Sequence, residues 1–130
     1  MLKGNAVAVL IVTPDGVPLI RDPKKPAPIF WKLPGGRGQV NESAKDCALR
    51  EIKEEVGLVL PKDDIEILYS EDRGNHILTI FSVKLSTTPH IKITGDEGEE
   101  VKMFSPEEIL GKNDFFPNHR KIIESILKNM

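Results

Sequence analysis

The stretch GRGQVNESAKDCALREIKEEVGL, residues 36 to 58, decides the fold and the chemistry of this chain. Its second half predicts a helix, on which Glu51, Glu54 and Glu55 lie three and four positions apart, so their side chains share one face. Like charges at this spacing repel each other. A bound divalent cation would offset the repulsion, because carboxylate oxygens are ligands that suit Mg²⁺ and Mn²⁺. The stretch therefore predicts a metal site on a helix.

The predicted helix has recognisable ends. Asn41 is suited to cap its N-terminus, with Glu42 in the first turn, where the helix dipole favours an acid. Gly57 predicts that the helix ends after about Val56. One apolar stripe runs along it: Ala44, Ala48, Ile52 and Val56. The three glutamates border this stripe, so we expect them to lie at the edge of the buried face.

The rest of the chain alternates between short apolar runs and turn signals. Strands are predicted at residues 6–12, 17–21, 29–33, 65–69, 77–85 and 100–104. The first two flank Pro14-Asp15-Gly16 and are expected to form a hairpin, and residues 34–38 to form a flexible turn. Further helices are predicted at residues 106–110 and 118–128. Helices interleaved with strands favour an α/β fold, a three-layer α/β/α sandwich around a mixed sheet, built as one domain over residues 1–130.

Composition excludes several classes of protein. The net charge of −2 provides no basic field for a long nucleic acid. No apolar stretch approaches the roughly 20 residues that a membrane-spanning helix needs. Cys47 is the one cysteine, which rules out an intrachain disulfide and fits a reducing compartment. We therefore expect a cytoplasmic protein that acts as a monomer or a homodimer.

The spacing of the acidic stretch resembles the signature of a known family. Gly36, Glu42, Arg50 and the segment from Glu51 to Leu58 match the Nudix box in every specified position. Residues 31–36 before it and 101–108 after it are similar to the family's flanking sequences. The resemblance implies the Nudix fold and a hydrolase that cleaves nucleoside diphosphates linked to another moiety. It also implies a small-molecule nucleotide substrate and Mg²⁺ as cofactor, with Mn²⁺ as a substitute.

Hydrolysis of a pyrophosphate linkage suggests roles for the acids. Divalent metals cancel phosphate charge and activate water, so Glu51 and Glu55 are the first-choice ligands, and Glu54 is a third ligand or the base that deprotonates water. Arg50 is expected to orient the carboxylates through a charge-assisted hydrogen bond. The family resemblance adds the backbone carbonyl of Gly35 as a metal ligand.

Other candidate residues lie outside the box. Family members often recruit a further glutamate from a loop near the last strand, and Glu97 is the best match, although Glu99 and Glu100 compete for this role and for that of the general base. For substrate binding, four residues are candidates: Arg21, Trp31, Asn118 and His119.

The substrate has several alternatives. The sub-family patterns for ADP-ribose, NADH, coenzyme A and diadenosine polyphosphates are not evident after Leu58, which leaves a MutT-like nucleoside triphosphate pyrophosphohydrolase as the leading prediction. A hydrolase of dinucleoside polyphosphates or of RNA 5′ ends is an alternative. A nucleotide-sensing module without turnover is another, although such a module would be expected to have lost acids of the box.

Overall fold

The computed structural model describes residues 4–130, and its centre is a mixed four-stranded sheet. The strands are β1 (Gly4–Val12), β2 (Val17–Arg21), β3 (Gly35–Arg37), β4 (Glu66–Asp72), β5 (His76–Lys84) and β6 (Glu100–Phe104). The large sheet has the order β3-β1-β5-β4, with β1 and β5 parallel and the other pairs antiparallel. Strands β2 and β6 form a separate antiparallel pair.

Helices cover both faces of the large sheet. They are α1 (Ala44–Glu55), α2 (Pro106–Gly111) and α3 (Pro117–Lys128). Helix α1 packs through Cys47, Ala48 and Ile52 on one face of the sheet. Helices α2 and α3 pack on the other face, where Ile109 and Ile123 are buried. The predicted α/β/α sandwich around a mixed sheet is confirmed.

The predicted hairpin of the first two strands is wrong beyond its turn. Thr13 and Gly16 exchange two backbone hydrogen bonds, which closes the turn. Strand β1 already has β5 on one edge and β3 on the other, so β2 turns away and pairs with β6 instead.

Residues 29–37 also differ from the prediction. The segment 29–33 forms no strand, because Lys32 bonds to Ile20 while Trp31 bonds to the chain around Phe115, so no ladder develops. The expected turn at residues 34–38 contains β3, an edge strand paired with β1. Glycine makes this pairing possible, since a Cβ at Gly35 would collide with the carbonyl oxygen of Val7.

The N-terminus of α1 lies two residues later than predicted. Ser43 is the N-cap, and its hydroxyl accepts a hydrogen bond from the backbone N–H of Asp46 at 3.1 Å. Asn41 instead has a φ of 62°, a left-handed conformation that asparagine tolerates better than most residues. At the other end, Gly57 follows the helix with a φ of 83°, as a C-terminal glycine does.

No helix within residues 4–130 combines the length and the apolar character needed to cross a membrane.

Candidate active site

Helix α1 carries Glu51, Glu54 and Glu55 on one face, here called the acidic face. The three side chains differ in burial. Glu55 is buried, with 6% of its surface exposed. The side chain of Glu51 is 13% exposed and that of Glu54 is 41% exposed. The acidic face therefore runs from the edge of the core out to solvent, as expected from the spacing of these residues beside the apolar stripe.

Strand β3 lies against the acidic face and offers it backbone rather than side chains. The N–H of Gly35 donates a hydrogen bond of 2.8 Å to Oε1 of Glu55. A Cβ at Gly36 would come within 2.9 Å of the carboxyl group of Glu51, so any larger residue at position 36 would displace this carboxylate. In an extended strand the C=O of a residue lies on the same edge as its N–H, so the carbonyl of Gly35 points away from β1. This carbonyl is the one that the family resemblance assigns to a metal.

Arg50 connects three carboxylates of the stretch into one network. Its guanidinium donates to both oxygens of Glu42, at 2.8 and 3.0 Å, and holds the pKa of that carboxyl at about 2. It also donates to Glu51 at 2.8 Å and to Glu54 at 3.2 Å. The expected contact with Glu54 is present. The pairing with Glu42 was not predicted, because Glu42 precedes the helix and has no regular spacing to Arg50.

Two carboxyl groups of the acidic face have raised pKa values. Burial, followed by the charges of Glu51 and Glu99, raises the pKa of Glu55 to about 9, although the N–H of Gly35 opposes this. Burial also raises the pKa of Glu51, against the opposing effect of Arg50. A cation would favour the ionised form of both groups, because its charge reverses the cost of crowding.

The donor set fits a hard divalent cation in its chemistry. It combines carboxylate oxygens with the outward carbonyl of Gly35. Among residues 4–130, no three ligating side chains are already gathered as a bound cation would hold them. The reason is visible in the contacts: Glu51 is turned to Arg50 and Glu55 to the N–H of Gly35.

The loop before β6 contributes acids of unequal exposure. Glu99 is 7% exposed, and its Oε1 accepts a hydrogen bond of 3.0 Å from the N–H of Glu97. The side chain of Glu97 is exposed, although its charge contributes to the raised pKa of Glu51. Glu100 forms an ion pair with Arg21 at 2.6 Å. Of the three competing glutamates, Glu100 is thus occupied elsewhere and Glu99 is the buried one.

A cavity of about 540 Å³ opens on the α3 side of the sheet. Gly35 and Gly36 line it, so the same two residues border both the cavity and the acidic face. Phe30 and Phe116 provide aromatic walls, with ring centroids 6.0 Å apart. Basic side chains outnumber the one acid, Asp22, around the cavity: Lys25, Lys32, Arg37 and Arg73. Sequence reasoning missed this local positive charge because the chain as a whole is slightly acidic.

His119 lines this cavity with a defined tautomer. Its Nδ1 accepts a hydrogen bond of 3.2 Å from the N–H of Leu33, so the neutral ring carries its proton on Nε2. Burial, together with the charges of Lys32 and Arg73, lowers the pKa of His119 to about 4. Within residues 4–130 no group accepts a hydrogen bond from Nε2. The neighbouring Asn118 lines the cavity as well.

The other two candidate substrate residues lie away from the cavity. The ring of Trp31 is buried in the core and makes an edge contact with Phe104, with the ring centroids 5.0 Å apart. The guanidinium of Arg21 covers the Trp31 ring at 4.5 Å and pairs with Glu100. Neither side chain lines the cavity.

The chain is similar to known proteins along most of its length. The family model for the NUDIX domain matches residues 2–126. The chain is 30% identical over 128 residues to an ADP-ribose pyrophosphatase of Methanocaldococcus jannaschii, covering 95% of this chain and 73% of that protein. It is 29% identical over 94 residues to an 8-oxo-dGDP phosphatase of Mus musculus, covering 72% of this chain and 28% of the mouse protein.

Solved structures have the same fold. One described as MutT, from a study of the Aliivibrio salmonicida and Vibrio cholerae proteins, superimposes with a TM-score of 0.79 at 18% identity, covering 99% of this chain and 100% of that one.

Proposed function

Because this chain belongs to the Nudix family of hydrolases, we propose that it cleaves a phosphoanhydride bond in a small nucleoside diphosphate derivative, in a reaction that requires Mg²⁺ or Mn²⁺. One observation carries the proposal beyond family membership. Gly35 and Gly36 line the cavity and also contact the carboxyl groups of Glu55 and Glu51. A ligand held in the cavity can therefore reach the acidic face across an edge strand that has no side chains at these two positions.

The acids and the carbonyl of Gly35 divide the chemistry of this site. Glu51, Glu55 and that carbonyl would hold the cation, which when bound neutralises phosphate charge and lowers the pKa of water. Glu54 is the most exposed of the three glutamates and is best placed to accept a proton from the attacking water. Arg50 orients Glu51 and Glu54, and Glu42 anchors Arg50.

The cavity is suited to the nucleoside end of the substrate. Its aromatic walls offer faces for a base. The Nε2–H of His119 can donate to an acceptor on the ligand, and Asn118 provides an adaptable amide. The surrounding lysine and arginine side chains favour an anionic substrate.

Two substrate classes follow from different observations. Because the patterns of the other sub-families are not evident after Leu58, a nucleoside triphosphate, hydrolysed as by MutT, is the first candidate. The 30% identity to the archaeal ADP-ribose pyrophosphatase, over 95% of this chain, favours ADP-ribose as the second candidate. Both classes present a nucleoside linked to a phosphoanhydride, and both fit a site divided between a cavity and an acidic face.

A panel of nucleotides with Mg²⁺ and with Mn²⁺ tests the proposal. The panel contains ribo- and deoxyribonucleoside triphosphates, ADP-ribose, dinucleoside polyphosphates and RNA with a 5′-triphosphate. We expect metal-dependent release of phosphate, pyrophosphate or a nucleoside monophosphate from at least one member. Substitution of Glu54→Gln or Glu55→Gln should abolish the release, whereas Glu107→Gln, at an exposed position of α2, should not.

The outcomes separate the alternatives. Unchanged turnover in both site variants would contradict the assigned roles. Saturable nucleotide binding without any turnover would indicate the sensing module. Turnover of 5′-triphosphate RNA alone would replace the small-molecule proposal.

The proposed setting is a reducing cytoplasm, in which the protein acts on its own or as a homodimer and folds as one domain. The thiol of Cys47 is buried against the sheet, and burial raises its pKa to about 12, so it behaves as a core residue.

A further inference from the structure

A loop that precedes β6 provides hydrogen-bond donors for backbone carbonyl groups at the C-terminal end of α1. In this capping loop, Lys92–Glu99, the N–H of Lys92 donates to the carbonyl of Val56 at 2.8 Å. The N–H of Asp96 donates to the carbonyl of Glu54 at 3.0 Å, and Nζ of Lys92 reaches the same carbonyl at 3.3 Å. The last carbonyls of a helix have no partners within the helix, so the capping loop supplies partners that the helix lacks.

Lys92 is fitted to this position by both its stem and its charge. A Cβ at Gly57 would come within 2.8 Å of Cγ of Lys92, so a larger residue at position 57 would push the stem away. The ammonium group lies at the carbonyl end of α1, where the helix dipole favours a cation. It also forms an ion pair with Asp96, which closes the capping loop upon itself.

The capping loop brings one carboxylate against the end of α1. The position that a Cβ of Gly95 would occupy lies 2.6 Å from Oε1 of Glu99 and 3.2 Å from the carbonyl oxygen of Glu55. The carboxylate of Glu99 and the backbone carbonyl of Glu55, the last residue of α1, thus lie close together beside Gly95. Glu99 is also buried. Glu97 is held by its main chain, whose carbonyl accepts from Lys24, and its side chain is exposed.

We propose that Lys92 is a positioning residue for the hydrolytic site: it fixes the capping loop on the end of α1, so that Glu99, rather than Glu97, is the loop carboxylate that serves the acidic face. The inference rests on the proposed function for the role of the acidic face. The placement of the capping loop does not depend on the proposed function and can be measured separately.

The first test compares Lys92→Met with Lys92→Arg. Methionine keeps an unbranched stem beside Gly57 but loses the charge, whereas arginine keeps the charge. For Lys92→Met we expect kcat to fall about 10-fold with KM changed less than about twofold, because a misplaced group affects the reaction more than binding. Lys92→Arg should restore kcat to within about threefold. Lys84→Met, at an exposed position of β5, is the matched control and should not change kcat.

Amide hydrogen exchange of the metal-free protein provides a readout that does not depend on turnover. In Lys92→Met the N–H of Asp96 should exchange at least about 10-fold faster, because the capping loop opens locally and this N–H loses its hydrogen bond to the carbonyl of Glu54. If Lys92→Met leaves both this exchange rate and kcat unchanged, the positioning role is refuted.

The second test compares Glu99→Gln with Glu97→Gln. We expect Glu99→Gln to lower kcat about 100-fold, as loss of a group that assists the transition state does, and Glu97→Gln to lower it less than about threefold. Titration of the metal-free proteins with Mn²⁺, followed by electron paramagnetic resonance, should show weaker binding for Glu99→Gln only. The reverse order in either readout overturns the assignment. If the wild-type protein turns over no nucleotide, the proposed function fails, while the exchange and Mn²⁺ measurements still decide this inference.

Discussion

Replacement of Glu55 by glutamine should stabilise the metal-free protein while removing its activity. Glu55 is buried, and its pKa is raised to about 9 from an ordinary value of 4.5. Near neutral pH the folded chain therefore holds a proton that the unfolded chain has released. Glutamine has almost the same shape, can still accept the hydrogen bond from the N–H of Gly35, and is uncharged in both states.

The sign and size of the effect follow from proton linkage. Because the pKa is higher in the folded state, this carboxyl favours folding below pH 4.5, and its contribution is lost as the pH rises from 4.5 through about 9. The loss has a slope of at most about 1.4 kcal/mol per pH unit in that window, which gives up to about 3 kcal/mol at pH 7. At about 3 °C per kcal/mol for a chain of this size, Glu55→Gln should raise Tm by about 5 to 10 °C at pH 7.

The assay is chemical or thermal unfolding in EDTA from pH 5 to pH 9. The difference between Glu55→Gln and the wild type should be small at pH 5 and should grow with pH. Glu107→Gln, at an exposed position, should stay within about 0.5 kcal/mol of the wild type at every pH. Addition of Mn²⁺ should reduce the difference, because the cation stabilises the wild type more than the variant. A variant that is less stable than the wild type throughout this range would refute the reasoning.

Three further predictions concern residues that contact the acidic face or line the cavity. Gly36→Ala places a methyl group within 2.9 Å of the Glu51 carboxyl, so kcat should fall at least about 10-fold, while circular dichroism stays unchanged. Arg50→Lys offers one ammonium in place of a fork that serves Glu42 and Glu51 together, so kcat should fall about 10-fold or more and Tm should also fall; unaltered kinetics would contradict the network. His119→Asn keeps an acceptor near the position of Nδ1 and loses the Nε2 donor, so KM should rise about 10-fold with little change in kcat; His119→Gln, which keeps a donor near Nε2, should lie closer to the wild type, and equal KM values for both would count against the donor role.

Much of the fold was predictable because its signals are local. Hydrophobic periodicity and turn residues placed β6, α2 and α3 to within one residue at most of their ends. The hairpin of β1 and β2 failed for a non-local reason: strand pairing depends on which edges are still free, and both edges of β1 were taken by strands from elsewhere in the chain. The prediction of a turn at the glycine segment of β3 was wrong for a similar reason, since this segment becomes a strand only by pairing with β1.

The candidate site likewise has a part that local sequence signals predict and a part that depends on non-local contacts. Sequence spacing was enough to predict the part of the site that lies on one helix, which consists of Arg50, Glu51, Glu54 and Glu55. Glu42 could be found as part of a pattern but not as the partner of Arg50, because the chain between them changes direction at Ser43. Residues of the cavity come from several separate segments, so no spacing in the sequence relates them.

Arg50 and the proposed cation share one carboxylate of the acidic face, Glu51, which pairs with the guanidinium in this structure. The guanidinium pairs with both Glu51 and Glu54, so it offsets the repulsion between these two like charges. Glu42 binds that guanidinium at two atoms, which leaves Arg50 anchored when Glu51 turns towards a metal. Within residues 4–130 Glu55 has no such ion-pair partner and accepts its hydrogen bond from the N–H of Gly35, and burial raises its pKa to about 9. The residue deepest in the core is thus the one whose ionisation depends most on the arriving cation, so metal binding should release a proton in the same step that completes the site.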